Sequence, residues 1–277
     1  MKNINRVFIV GLVFSLEILI LFVVFPACKD TKRISKTPSQ SSIIVMEKSG
    51  LKLTEVVSPP FEESSLSQIS PSSLSWSDTG IVRFEYDVKN YELGVPTIDF
   101  ESKLCANSDK GQHIHHILNN EPYTALYKPS LDKSLKEGQY LNLSFLSRSY
   151  HESIKNKGAF TLTQFNVGKQ KMNPIDLKQP FMFYSRPKGE YKGFETKYVL
   201  LDFYLVNTNL SKKGNKVIVD INGTTFTIDH WTPFIIEGLP AGESTIKLSL
   251  VDKNGELVKT MYNPVERKII LSNLIVK

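Results

Sequence analysis
From Ile43 onward the chain is written in short apolar–polar alternations and shows no convincing helical period. IIVM and then LKLTEVV alternate as strands do, and Pro59-Pro60 closes the second of them. Glu62 to Ser77 reads as a loop punctuated by Ser and Pro. Beyond it, runs rich in Val, Ile, Phe, Tyr and Thr are separated by Gly, Pro, Asn and Asp, the spacing expected of β-sandwiches. The pattern predicts an all-β protein.

The runs also repeat. Residues 111–120 (GQHIHHILNN) align with 214–223 (GNKVIVDING), and residues 135–146 (LKEGQYLNLSFL) align with 239–250 (LPAGESTIKLSL), at offsets of 103 and 104. Upstream, VKNYEL at 88–93 matches LVNTNL at 205–210 at an offset of 117, so the first copy carries 14 extra residues (117 − 103) between those blocks. In the second copy KVIVDING, TTFTI, TPFIIEGLPAGE, STIKLSLVD and VKTMYNPVERKIIL read as strands C, C′, E, F and G of an immunoglobulin- or fibronectin-like sandwich, with Asn254-Gly255 turning between F and G. The expected organisation is a first sandwich over 44–168, a linker over 169–184 and a second sandwich over 185–277. At the end of that linker YSRPKGEY, residues 184–191, reads as an interdomain connection whose aromatics cover a seam.

In such a sandwich C and F are antiparallel neighbours, and the B–C and F–G loops share one end. The 14 extra residues, Cys105 among them, enlarge the B–C loop ahead of His113, and the F strand exits into SRSYHES at 147–153. His113, His115, Cys105, Arg148, Tyr150, His151 and Glu152 are therefore expected at one tip. The second copy has Lys216 for His113, Ile218 for His115 and Gly255 for His151, which makes the histidines look dispensable to the fold. Strand alternation turns Ile114, His116 and Leu118 inward and His113 and His115 the other way. His116 then reads as a core histidine. His113 and His115, two apart on one face, have the spacing that lets two imidazoles reach one zinc or copper ion, with His151 as third ligand and Glu152 or Cys105 completing the shell. The plainer reading of the pair is an exposed face rich in imidazole, and of Cys105 an inert packed thiol. Arg148, Tyr150, His151 and Glu152 also suit a recognition loop for an acidic, carbohydrate or peptide ligand.

The N-terminus changes the picture of where this happens. Lys2 and Arg6 precede an apolar run from Val7 to Val24, and Ala27 stands before Cys28, the layout of an export signal followed by a lipidation cysteine. An uncleaved membrane anchor is the alternative, since the run is nearly long enough to span. Acylated Cys28 followed by a Ser/Thr/Lys-rich tether to about residue 43 would hold the folded part off a membrane and outside the cytoplasm. The net charge of +6 becomes +5 when Lys2, Arg6 and Glu17 leave with residues 1–27 (+2 − 1 = +1 removed), and no basic run of five or six occurs. That argues against nucleic acid as a partner. With Cys28 acylated, Cys105 has no cysteine to pair with.

GQHIHHILNNEPY and FLSRSYHES, with YELG before and LLDFYLVN after, resemble a family of bacterial envelope lipoproteins, over most of residues 45–275. The resemblance implies tandem immunoglobulin-like domains and an envelope location, and no particular activity. A looser likeness is to small sandwich domains with a histidine cluster and a PxGxH turn; residues 136–140 (KEGQY) lack its Pro and His. His113-x-His115 followed by Glu121 is similar to the metal motif of cupins, but the spacing and the missing second-motif histidine depart from it. Without a Ser/His/Asp, Cys/His or phosphate-loop motif, the expected function is non-catalytic, a ligand bound at the B–C/F–G tip; the alternative is zinc or copper held at His113, His115 and His151, for storage or as a metalloenzyme.

Overall fold
The computed structural model describes residues 43–272 apart from 73, 75, 78, 79 and 170–172, so the export signal, Cys28 and the tether lie outside the described residues. The chain opens with a hairpin of β1 (Val45–Lys48) and β2 (Leu51–Glu55). The first copy follows as β3 (Ser65–Ser70), β4 (Trp76–Ser77), β5 (Ile81–Lys89), β6 (His113–Leu118), β7 (Thr124–Leu126), β8 (Ser130–Ser134), β9 (Gly138–Ser147) and β10 (Phe160–Val167). The second copy is β11 (Phe181–Arg186), β12 (Gly189–Lys192), β13 (Val199–Val206), β14 (Lys216–Ile221), β15 (Thr224–Ile228), β16 (Phe234–Glu237), β17 (Gly242–Val251) and β18 (Val265–Ser272). Among the described residues no helix is long and apolar enough to cross a membrane.

The copies match strand for strand. In the first, a sheet ordered β3-β5-β8 faces one ordered β4-β10-β9-β6-β7; in the second, β11-β13-β16 faces β12-β18-β17-β14-β15. Both short strands, β4 and β12, pair in parallel with the last strand of their copy, β10 and β18. This is the all-β, immunoglobulin-like strand order A-B-E over A′-G-F-C-C′. The C–C′ turn has the same backbone in each: Asn119 and Asn120 at φ 50 and 57, Asn222 and Gly223 at φ 50 and 87, the positive values a two-residue hairpin needs. Each sandwich has its own core, built around Phe84, Ile114, Leu146 and Phe165 in the first and around Leu201, Val219, Leu248 and Ile269 in the second.

Two boundaries differ from the sequence reading. The opening hairpin does not belong to the first copy: β2 pairs with β16 (Leu53↔Ile236), and Leu51 and Leu53 enter the second core. The edge of β16 offers unpaired backbone groups, and an incoming strand with alternate leucines satisfies both edge and core. Likewise residues 181–186 are not linker but β11, bound to β13, and residues 189–192 form β12, with Tyr191 in the second core. YSRPKGEY is thus mostly strand.

The described residues form one compact unit, and the two sandwiches meet along a sheet-on-sheet seam. Ile117, Leu143 and Phe145 on the outer face of the first copy pack on Phe181, Phe183 and Tyr204 of the second, and Phe145 stacks on Tyr204 with ring centroids 4.5 Å apart. Trp231 adds an edge-on contact to Tyr204 at 5.0 Å and donates its indole N–H to the Phe203 carbonyl. Strands at a seam are covered on both faces. Accordingly β6, β11 and β13 are buried at every position, whereas β14, the repeat partner of β6, alternates between buried and half-buried.

Candidate metal centre
β6 and β9 are antiparallel neighbours, with His113 opposite Ser147 and His115 opposite Phe145. Alternation places His116 inward as expected: its Nδ1 meets the Tyr86 hydroxyl at 2.9 Å, and its ring sits edge-on to Phe84. His113 and His115 do face the other way, but not toward water. Both are fully buried, because that face of the sheet is roofed by β11 and by Tyr123. The Tyr123 ring stacks on His115 at 3.5 Å and 10°, and His115 Nδ1 reaches the Ser185 hydroxyl at 3.1 Å. The histidines are therefore packed parts of the seam rather than members of an exposed face.

His151 arrives from the turn after β9. Its own N–H donates to the Arg148 carbonyl, and its backbone is held at φ 68. Gly255, its repeat partner, stands at φ 86. The turn thus requires a left-handed residue, which costs glycine nothing, and His is one of the few other types found there. A second tight spot fixes His113. Gly111 has φ 79, and a Cβ on it would lie 2.4 Å from the backbone of Val95, so only glycine allows the B–C loop to pass this close. The Gly111 carbonyl then faces His113 Nδ1 at 2.8 Å.

That contact sets the chemistry. A carbonyl can only accept, so His113 Nδ1 carries the proton and Nε2 holds a lone pair. His113 Nε2 is 3.0 Å from His115 Nε2 and 3.0 Å from His151 Nδ1, and the three ligating atoms all lie within 4.8 Å of one another. Three imidazole nitrogens around a tetrahedral ion at 2.0–2.1 Å would stand about 3.3 Å apart, so modest side-chain adjustment would bring these three around one ion. Burial holds the imidazoles neutral: His113 is pushed down to about 4, and His115 and His151 well below their ordinary range, with the nearby Arg186 and Lys188 charges adding to the effect. Neutral imidazole is the form that binds metal. His151 is the least buried of the three and opens the cluster to solvent. Its Nδ1 also meets the Tyr123 hydroxyl at 3.1 Å.

The other tip residues form a separate group. Arg148 and Glu152 pair with each other, Nε to Oε1 at 3.3 Å, and are 4% and 6% exposed. The Tyr150 hydroxyl donates to Asp99 at 3.0 Å from a fully buried ring. Cys105 packs with Val56, Tyr150 and Leu200, its thiol pushed up to about 11 by burial. The segment after β2 covers this end, Arg148 donating to the Pro59 carbonyl and Ser58 donating to Glu152, while Asp99 of the B–C loop takes the Tyr150 hydroxyl, so all three side chains are engaged within the protein. Neither Glu152 nor Cys105 joins the histidine cluster. Ser185 and Tyr123 are the site residues that sequence reasoning missed. The signal for Ser185 was indirect: FMFYSR and VLLDFYLV lack alternation, which marks strands covered on two faces.

No protein-family model and no curated protein matches the chain. Among solved structures, it is similar to the fibronectin(III)-like modules of Clostridium thermocellum CbhA at 11% identity, covering 76% of this chain and 96% of that one, with a TM-score of 0.28. It is also similar to Bacteroides ovatus SGBP-B, solved with a mixed-linkage heptasaccharide, at 11% identity over 74% of this chain and 47% of that one, with a TM-score of 0.24. Domains 4 and 5 of the S-layer protein SbsC match at 11% identity, 77% and 99% coverage and a TM-score of 0.21.

Proposed function
We propose that this protein is a non-catalytic metal-binding protein of the cell envelope, holding one zinc or copper ion on His113, His115 and His151. The observation that carries the reading is the convergence of three neutral imidazoles, one of them with its lone pair fixed inward by the Gly111 carbonyl. Three protein ligands leave a fourth position for an exogenous group. With no carboxylate among the ligands and with Arg186 and Lys188 close by, an anion suits that position better than a neutral molecule. Export and a lipid anchor at Cys28 belong to the same proposal and rest on the N-terminal sequence. Arg148, Tyr150 and Glu152 drop out as recognition residues because they are buried and paired, so a metal is favoured over a macromolecular ligand at this tip.

His151→Gly is the informative variant, because the second copy already uses glycine at this left-handed position. Protein purified without a polyhistidine tag should take up one equivalent of zinc or copper, and His151→Gly should weaken binding at least tenfold while its far-ultraviolet dichroism is unchanged. Failure of the unaltered protein to take up a stoichiometric ion, or equal affinity in the variant, would refute the proposal.

A further inference from the structure
The seam carries three cations that no carboxylate reaches as an ion pair among the described residues. Arg186 at the end of β11, Lys188 just beyond it and Arg267 on β18 form no ion pair among the described residues. They are close enough that Arg186 and Arg267, after burial itself, help to hold the Lys188 ammonium down at about 8. Beside them opens a cavity of about 500 Å³ whose wall includes Asn120, Glu121, Lys188, Tyr262, Arg267 and Lys268. Lys268 is engaged with Glu243 at 2.7 Å, and Glu121 is exposed. Glu266 also lines the wall and Glu121 attracts the Arg267 guanidinium, but among the described residues neither carboxylate forms an ion pair with Lys188 or Arg267.

Just beneath that wall lie hydrogen-bond donors with nothing to donate to. Arg267 gives Nη2 to the Asn120 carbonyl, but its Nη1 is buried without a partner. Asn120 is 6% exposed; its Oδ1 accepts the Tyr184 N–H, while its Nδ2 has no acceptor. Lys188 gives one hydrogen to the Tyr123 carbonyl at 2.7 Å and lies over the Tyr123 ring at 3.6 Å, with no acceptor for its other hydrogens among its hydrogen bonds. Behind them the Arg267 guanidinium lies over the Tyr184 ring at 4.7 Å, and the Tyr184 hydroxyl and Arg186 Nε are buried and unpartnered as well. Buried donors normally find acceptors, and a group of them beside unpaired cations calls for an anion.

We infer that this cavity binds a small oxyanion, of the class that phosphate and sulfate represent, against Lys188 Nζ, with the Arg267 and Asn120 side chains turning to bring Nη1 and Nδ2 onto it. Its volume exceeds that of a bare oxyanion and falls in the range of small-molecule pockets, so the natural ligand carries the anionic group on a body of roughly monosaccharide size. None of the three clustered histidines lines this cavity. Lys188 is near both sites, so the tests turn on Arg267 and Asn120, which the metal centre does not use.

The probes are inorganic phosphate and inorganic sulfate, titrated calorimetrically into the full-length chain in detergent at constant ionic strength, with chloride as the control. Saturable binding is expected for both oxyanions, together with a rise in the thermal midpoint, because a ligand that binds only the folded state stabilises it. Arg267→Gln should weaken binding at least tenfold. Asn120→Asp keeps the acceptor used by Tyr184 but puts a carboxylate where the anion would sit. It should lose phosphate binding and raise the thermal midpoint without added ligand. If Arg267→Gln fails to fold, Asn120→Asp decides alone. No saturable heat with either oxyanion up to about 10 mM, or equal binding by Asn120→Asp, would overturn the assignment.

Discussion

Mild acid should destabilise this protein, and the amount can be worked from its buried histidines. Burial holds His113 at about 4 and His116 at about 3, and His115 and His151 are held well below their ordinary value. The unfolded chain takes up a proton on each imidazole below about pH 6.5, whereas the folded chain refuses it. Stability is thus undiminished above 6.5 and falls as the pH drops, by about 1.4 kcal/mol per histidine per pH unit until each folded value is reached. Between pH 7.5 and 5.5 the four histidines together cost about 5 kcal/mol, a large share of the 5–15 kcal/mol typical of a folded domain. Glu152, whose carboxyl burial raises, works in the opposite direction, but it is one group against four. Urea unfolding followed by far-ultraviolet dichroism at the two pH values measures the difference. A loss under about 1 kcal/mol would mean that the folded protein takes up these protons, and hence that the imidazoles are open to water. His151→Gly should remove about a quarter of the effect, about 1.4 kcal/mol per pH unit.

Cys105, buried and with its thiol pushed up to about 11, should resist a thiol reagent at pH 8 in native protein and react at once in denaturant; rapid native labelling would contradict the packing of the covered tip. Glu152→Ala should destabilise by about 3–5 kcal/mol in urea, because it strands the buried Arg148 charge, and a cost below about 1 kcal/mol would mean that water reaches Arg148. Cys28→Ser should abolish incorporation of labelled fatty acid and leave the precursor unprocessed, whereas label retained on the serine variant would rule out acylation at this residue.

The second copy is the best guide to the first, and it also shows where sequence comparison loses its power. The strand pattern, the repeat and the β6–β9 pairing were legible because each rests on local alternation or on self-similarity, which survive any tertiary setting. The ownership of β1 and β2 was not, since Leu51 and Leu53 suit either core and only the open edge of β16 decides between them. The histidines are the harder case. With Lys216 and Ile218 standing for His113 and His115 in the second copy, the fold looks independent of them. But β14 presents that face half-exposed, while β6 presents it to β11 and Tyr123. The two copies share a backbone and not an environment, so the substitution says nothing about what a buried position tolerates. The comparison does hold at His151 and Gly255, where both copies impose a positive φ. There the backbone demand is the same in each, glycine meets it without strain, and the first copy uses histidine instead. A side chain kept where glycine would be easier, with its ring nitrogen 3.0 Å from His113 Nε2, is the one part of the cluster that packing does not explain.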